Sequence, residues 1–285
     1  MSKKVQFIIW TIIAIVAVAL LGICIFNFVS MNNGGNVHPQ VSIEFQDYGT
    51  VKFELYPEYA PNTVANFIKL AESGYYNDKV MYGKDSICLY FGRDENGEVA
   101  DPTTESINYD TTEPYTYSID GEFVANGFSQ NTLRHEKGVI SLIRNNYTEY
   151  FSDLYDESYN SGNSQIGIMM SDDAANLNGV YAAFGRVIEG MDILEKIYNE
   201  TEIAVEEKEE DVVEEAEDEA EEVEAEESEE DEDDGGIKKF ATYPKVASIT
   251  VDTKGIDYGM PEIHEAFDYT EFLNQYLSSY TSTSY

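Results

Sequence analysis

Cysteine is scarce. Cys24 and Cys88 are the only two, which excludes a disulfide framework and any four-cysteine zinc site. Histidine is nearly as rare. His38, His135 and His264 lie far apart, so no metal-ligand spacing exists, and neither a metal nor another cofactor is expected. Basic side chains are few, 17 against 55 acidic ones, for a formal charge of −38. Nucleic acid is therefore excluded as a partner, because its phosphates are bound through Lys and Arg. No nucleophile elbow is present either: in Gly162-Asn-Ser-Gln-Ile166 the fifth residue is not glycine. The 285 residues with 42% hydrophobic content are enough for one large packed domain or two small ones.

The acidic charge is unevenly spread. Residues 202–234 hold 22 acidic side chains and one Lys, leaving an ordinary −17 for the rest. Such a run reads as a disordered, self-repelling, solvated insert at 201–236. Its oxygen-rich composition also suggests weak binding of divalent cations, although no EF-hand pattern occurs.

Residues 5–29 carry no charge and are dominated by Ile, Val, Leu, Ala and Phe. A helix of that length at about 1.5 Å per residue spans a hydrocarbon core of roughly 30 Å. Lys3 and Lys4 precede it, so the sequence predicts a cytoplasmic 1–4, a transmembrane helix at 5–29 and an extracytoplasmic remainder, a single-pass cell-membrane protein. A cleaved signal peptide is the rival reading. A lipidated Cys24 ranks behind both, because Ile23 is bulky where a small residue is wanted. Residues 30–40 read as a flexible linker.

A folded domain is expected over 41–253, interrupted by the insert. Stretches 41–45 and 51–55 alternate apolar and polar residues around Asp47-Tyr-Gly49, a half-buried hairpin. Pro61 opens a helix whose Val64, Phe67, Ile68 and Ala71 share one face, ended by Gly74. Short strands are predicted at 86–91, 139–143, 165–170, 181–187 and 245–251, with a second helix at 191–198. Many short strands with two helices predict a closed β-barrel with helical caps. Residues 254–285 form a tail in which Phe267, Phe272, Tyr276 and Tyr280 line one face of a short helix.

Several segments together resemble the cyclophilin-type peptidyl-prolyl cis-trans isomerases. These are Gly49-Thr-Val-Lys-Phe-Glu-Leu-Tyr-Pro-Glu-Tyr-Ala-Pro-Asn-Thr-Val-Ala-Asn-Phe67, Gly74-Tyr-Tyr-Asn77, His135-Glu-Lys-Gly-Val-Ile-Ser-Leu142, Asn163-Ser-Gln165, and the run from Leu177-Asn-Gly-Val-Tyr181 to Gly190-Met191. The resemblance implies a mainly β fold, a closed eight-stranded barrel capped by two helices. It also implies prolyl isomerisation of proline-containing or unfolded polypeptides, here assisting the folding of exported proteins outside the membrane.

The resemblance also marks departures. Gly92 and Asp94 fix the register, which puts Gly83 in the place of the family's catalytic arginine and Phe91 in that of a groove glutamine. Cys88 and Gly167 stand where the proline pocket has aromatics. On this reading the catalytic candidates are Arg144, as a substitute donor, and Gln165. Lys84 and Arg93 are further cations near the site. The candidate substrate-binding residues are Met81, Tyr82, Leu89, Phe91, Leu142, Leu177 and Tyr181. The expectation is an isomerase with weakened turnover. The alternative is a catalytically inactive peptide-binding or scaffold protein.

Overall fold

The computed structural model describes residues 37–204 and 236–281. The expected anchor at 5–29 lies outside them, as does the stretch 205–235 on which disorder and cation binding were expected. Among the described residues no helix is long and apolar enough to cross a membrane, so the expected single-pass membrane localisation is not supported. No group of three metal-ligating side chains occurs among the described residues either.

Strand β1 (Gln40–Phe45) and strand β2 (Gly49–Leu55) form the predicted hairpin, paired from Gln40 with Glu54 to Phe45 with Gly49. Strict alternation sends Val41, Ile43, Phe45, Val51, Phe53 and Leu55 into the core, each at most 1% exposed. Helix α1 (Pro61–Glu72) begins on a proline, whose missing N–H costs nothing in the first turn. The cap comes from a distance. Glu122 Oε1 accepts from Asn62 N (2.9 Å), and Oε2 accepts from Thr63 N and Thr63 Oγ1 (both 2.7 Å). This carboxylate satisfies the orphan donors and faces the positive end of the helix dipole.

Strands β3 (Val80–Lys84), β4 (Cys88–Arg93), β5 (Tyr117–Ser118), β6 (Val139–Leu142), β7 (Ile166–Met169) and β8 (Ala182–Glu189) follow, with a short helix α2 (Tyr155–Tyr159) between β6 and β7. Helix α3 (Met191–Glu200), β9 (Lys238–Lys239), β10 (Val246–Asp252), β11 (His264–Glu265) and helix α4 (Tyr269–Thr281) complete the order. The main sheet runs β10-β1-β2-β8-β6-β7-β4-β3-β9, and β11 pairs separately with β5.

The expected closed eight-stranded barrel is therefore corrected to a curled, open sheet of nine strands that is not closed by a continuous ladder. Two features limit the contact between its ends. Between β10 and β3 there is one isolated bridge, Val80 with Lys245, flanked by Met81 N to Pro244 O (2.9 Å) and Val246 N to Lys79 O (2.9 Å). Pro244 has no N–H with which to extend that ladder. The outer edge of β3 is taken instead by β9, pairing Gly83 with Lys239 and Lys84 with Lys238. The helical complement also exceeds the two expected caps. α4 packs through aromatic rings on the segment before α2, with Tyr147 stacked on Tyr269 (4.9 Å) and Phe151 edge-on to Phe272 (5.0 Å).

The curl gives the sheet two unequal faces. The concave side holds the main core, including Phe67 tilted against Phe184 (5.6 Å) and Phe91 stacked on Tyr76 (5.4 Å). The convex side of β4, β6, β7 and β8 carries a small second cluster of Cys88, Val139, Met169, Ala174 and Ala183, with Ile87, Tyr90, Leu133 and Leu177 packed on it. The candidate site sits on that cluster.

Candidate functional site

Alternation along three strands builds the floor of the site. In β4, Leu89 and Phe91 turn inward, both fully buried, which leaves Cys88 and Tyr90 outward. In β7, Ile166 and Ile168 face the core while Gly167 and Met169 face out. Ser141 of β6 and Ile143 just beyond it complete a cavity of about 430 Å³, whose lining also includes Asp85, Arg144, Leu177, Tyr181 and Ile237.

The absence of a side chain at Gly167 shapes this space. A Cβ there would come within 2.7 Å of Cys88 Sγ and 3.0 Å of Ile143 Cδ1. Ile143 and the thiol thus fill the volume that a larger residue at 167 would take. Burial pushes the Cys88 thiol far above its ordinary range, so it behaves as an apolar group rather than a nucleophile.

The polar wall is held by neighbouring turns. Asp85 Oδ1 accepts from Ile87 N (2.8 Å) and Cys88 N (2.6 Å), and its Oδ2 accepts from the Tyr90 hydroxyl (2.6 Å). That carboxylate is spent on fixing the turn and the Tyr90 ring. His135 lies behind Ser141, with Nε2 3.0 Å from Ser141 Oγ and Nδ1 3.2 Å from Asn178 Oδ1. Burial lowers its pKa, so the imidazole is neutral near neutrality.

Arg144 supplies the cation of the cavity. Its Nε donates to Val180 O (3.2 Å), and Nη1 donates to Asn145 O (3.3 Å) and Ser158 Oγ (3.1 Å). The guanidinium carbon lies 4.6 Å from the Tyr181 ring centre, 4.9 Å from Tyr159 and 5.7 Å from Phe123, within cation–π range of all three. This cage fixes a planar donor whose Nη2 has no hydrogen bond among the described residues.

The predicted site residues thus separate into groups. Arg144, Leu177 and Tyr181 line one cavity. Gln165 lies two residues before Gly167 on the same face, and its backbone O accepts from Ile143 N (2.9 Å). Tyr82 is buried and stacks on Tyr90 at 5.8 Å. Met81, Leu89, Phe91 and Leu142 belong to the main core. Phe91 lies beneath the sheet, away from the cavity, edge-on to Phe45 at 6.1 Å. Tyr90, Ile143, Met169 and Ile237 join the lining without having been singled out. The first and third follow from strand alternation with Cys88 and Gly167. Ile237 had no local signal, because it is brought back by the chain after the acidic run.

Gly83 is accounted for by that same return. A Cβ at 83 would lie 2.6 Å from Lys238 O and 3.0 Å from Ile237 Cγ2. Strand β9 covers the position at which the resemblance expects an arginine.

The fold is thus a curled β-sheet with an apolar, cation-edged cavity on its convex face. Comparison with known proteins narrows the class. The family model described as Cyclophilin type peptidyl-prolyl cis-trans isomerase/CLD matches residues 40–218, and the chain belongs to that family. Its relatives are enzymes by name. Peptidyl-prolyl cis-trans isomerase CYP23 of Arabidopsis thaliana is 27% identical over 182 residues, covering 62% of this chain and 70% of the relative. Peptidyl-prolyl cis-trans isomerase B of Bacillus subtilis is 29% identical over 154 residues, covering 54% and 87%. Human peptidyl-prolyl cis-trans isomerase-like 4 is 28% identical over 153 residues, and there the chain spans only 27% of the relative's length. Among solved structures, a cyclophilin type isomerase of Cryptosporidium parvum aligns with 76% of this chain and 98% of its own, at 19% identity and a TM-score of 0.49.

Proposed function

We propose that the chain catalyses cis–trans isomerisation of prolyl peptide bonds in the cavity beside Arg144. The reaction rotates one C–N bond against a barrier of about 18–20 kcal/mol and breaks none. It needs no nucleophile, only an environment that favours the twisted amide over both planar forms. An apolar floor of Cys88, Ile143, Met169 and Leu177 suits a prolyl ring and withdraws the polar planar amide from water. As the amide twists, its nitrogen regains a lone pair, and a fixed guanidinium can donate to it. The free Nη2 of Arg144 takes that role in our reading, with Gln165 engaging the peptide backbone beside the cavity. The observation that carries the proposal is a caged guanidinium with a free donor on the rim of an apolar cavity of about 430 Å³.

The clients we propose are proline-containing and unfolded polypeptides. The narrower expectation of exported clients rested on the anchor and is not carried forward. Relaxation of a cis-enriched proline tetrapeptide, followed with the full chain, is the direct test. Acceleration that scales with protein concentration supports the reading, and an uncatalysed rate ends it.

A second reading has its own observation. With β9 laid over Gly83, the groove accepts a peptide without a donor at that position, as a binding module that does not turn over. Saturable peptide affinity without acceleration would select this reading.

A further inference from the structure

On a chain so rich in acid, several of the described cations find a carboxylate. Lys52, Lys69, Lys137, Arg186, Lys245 and Lys254 all do. Arg93, at the end of β4, does not pair with one among the described residues. This is not for want of neighbours, since Asp94, Glu95 and Glu98 follow it directly. Asp94 Oδ1 instead accepts from Asn96 N and Glu98 N (both 2.9 Å), closing its own turn. Glu95 pairs with Lys245 at 3.1 Å.

Arg93 is held by neutral groups alone. Its guanidinium carbon sits 4.1 Å from the Tyr82 ring centre. Nε donates to Gln165 Oε1 (3.4 Å), and Nη1 donates to Gly97 O (3.2 Å). It is half-buried, so its charge is less screened than that of a surface lysine. A planar cation stacked on an aromatic ring keeps one edge of its fork open for bidentate recognition of a carboxylate.

Its place relative to the cavity fixes a spacing. Tyr90 lines the cavity and stacks on Tyr82 at 5.8 Å, and Arg93 covers Tyr82 at 4.1 Å. The guanidinium is therefore within about 10 Å of the Tyr90 ring, at most the length of three extended residues.

We infer that Arg93 is a specificity-determining residue that reads a carboxylate side chain within three positions of the proline, making acidic prolyl peptides the preferred substrates. This inference rests on the isomerase or peptide-binding reading of the cavity. A peptide that leaves the cavity past Tyr90 toward Arg93 would place its prolyl ring over Gly167 and its acidic side chain on Arg93, with Gln165 holding the guanidinium in position.

The test uses the full chain and a set of proline peptides with one Glu, placed one to four residues from the proline on either side, against the all-Ala peptide. Both affinity and catalysed relaxation are measured. A preference of about tenfold for Glu at one of the first three positions on one side is expected, the size of one charge-assisted hydrogen bond. Arg93→Ala should reduce that ratio to near one, Arg93→Lys should keep part of it, and high salt should flatten it. A response that is equal at every position, or a preference that survives in Arg93→Ala, overturns the inference. Absence of acceleration on every peptide ends the isomerase reading but leaves the affinity ranking to decide the role of Arg93. Thermal melts of both variants separate loss of recognition from loss of fold.

Discussion

The Lys238 carbonyl oxygen stands 2.6 Å from where a Cβ on residue 83 would be, so Gly83 and strand β9 are mutually dependent. The glycine has an unremarkable φ; what it supplies is room for another backbone.

Gly83→Ala should dislodge β9 rather than perturb the main core. An overpacked contact of this kind costs about 1–3 kcal/mol. The expected signs are a lower urea midpoint and faster tryptic cleavage at Lys238 and Lys239, both exposed. Gly83→Arg should do the same and bring no gain in isomerisation. A rise in rate in that variant would show that β9 yields the position to a side chain.

Arg144→Ala removes the proposed donor. Loss of a comparable preorganised donor costs about a hundredfold or more in rate, and a fall of that order in kcat/KM is expected. Arg144→Lys should recover only part of it, because an ammonium lacks the planar fork that the Tyr181 and Tyr159 faces hold. Unchanged turnover in Arg144→Ala would remove this residue from the chemistry.

Ile237 contributes to the cavity wall yet is 42% exposed. Ile237→Trp should therefore crowd the cavity without overpacking the core. A rise in KM or Kd of roughly tenfold is expected, the worth of about 1.4 kcal/mol of lost binding. The melting temperature should stay within a few degrees.

His135 predicts an acid limb in stability. Burial lowers its pKa below the ordinary 6.5, so between those two values the unfolded chain holds more protons than the folded one. Stability then rises with pH across that window and is lost as pH falls below about 6.5. His135→Gln can bond Ser141 and Asn178 without titrating. Its unfolding free energy should be flatter with pH over the same range, as read from urea titrations at several pH values.

Much of the fold is legible in local pattern. The alternation in 41–45 and 51–55 corresponds to β1 and β2, which bury one side each, and the face of Val64, Phe67, Ile68 and Ala71 corresponds to α1, whose burial extends beyond that face to Thr63, Ala65, Asn66 and Leu70. The open sheet was not legible. Its ends are decided by Pro244 at one seam and by a two-residue strand at the other, and Lys238–Lys239 has no apolar alternation to announce it. The site divides in the same way. Leu177 and Tyr181 come from a segment whose pattern is strong. Phe91 is a candidate because a register alignment names positions, whereas burial in β4 depends on which face the strand twist turns inward. The pairing of Arg93 with Gln165 joins residues 72 apart in sequence, and no local signal reports such a contact.

Residues 202–204 and 239–241 are brought together by the domain itself. Ile203 bridges Phe240, Ala204 N donates to Lys239 O (2.9 Å), and Ala241 N donates to Glu202 O (2.8 Å). With the stem zipped by its own ladder, the length of what it encloses has little leverage on folding, since each doubling of a closed loop adds only about 0.6 kcal/mol. The ladder between 202–204 and 239–241 is thus a clasp, and a change in the length of chain between its two arms should leave the cavity wall around Ile237 assembled.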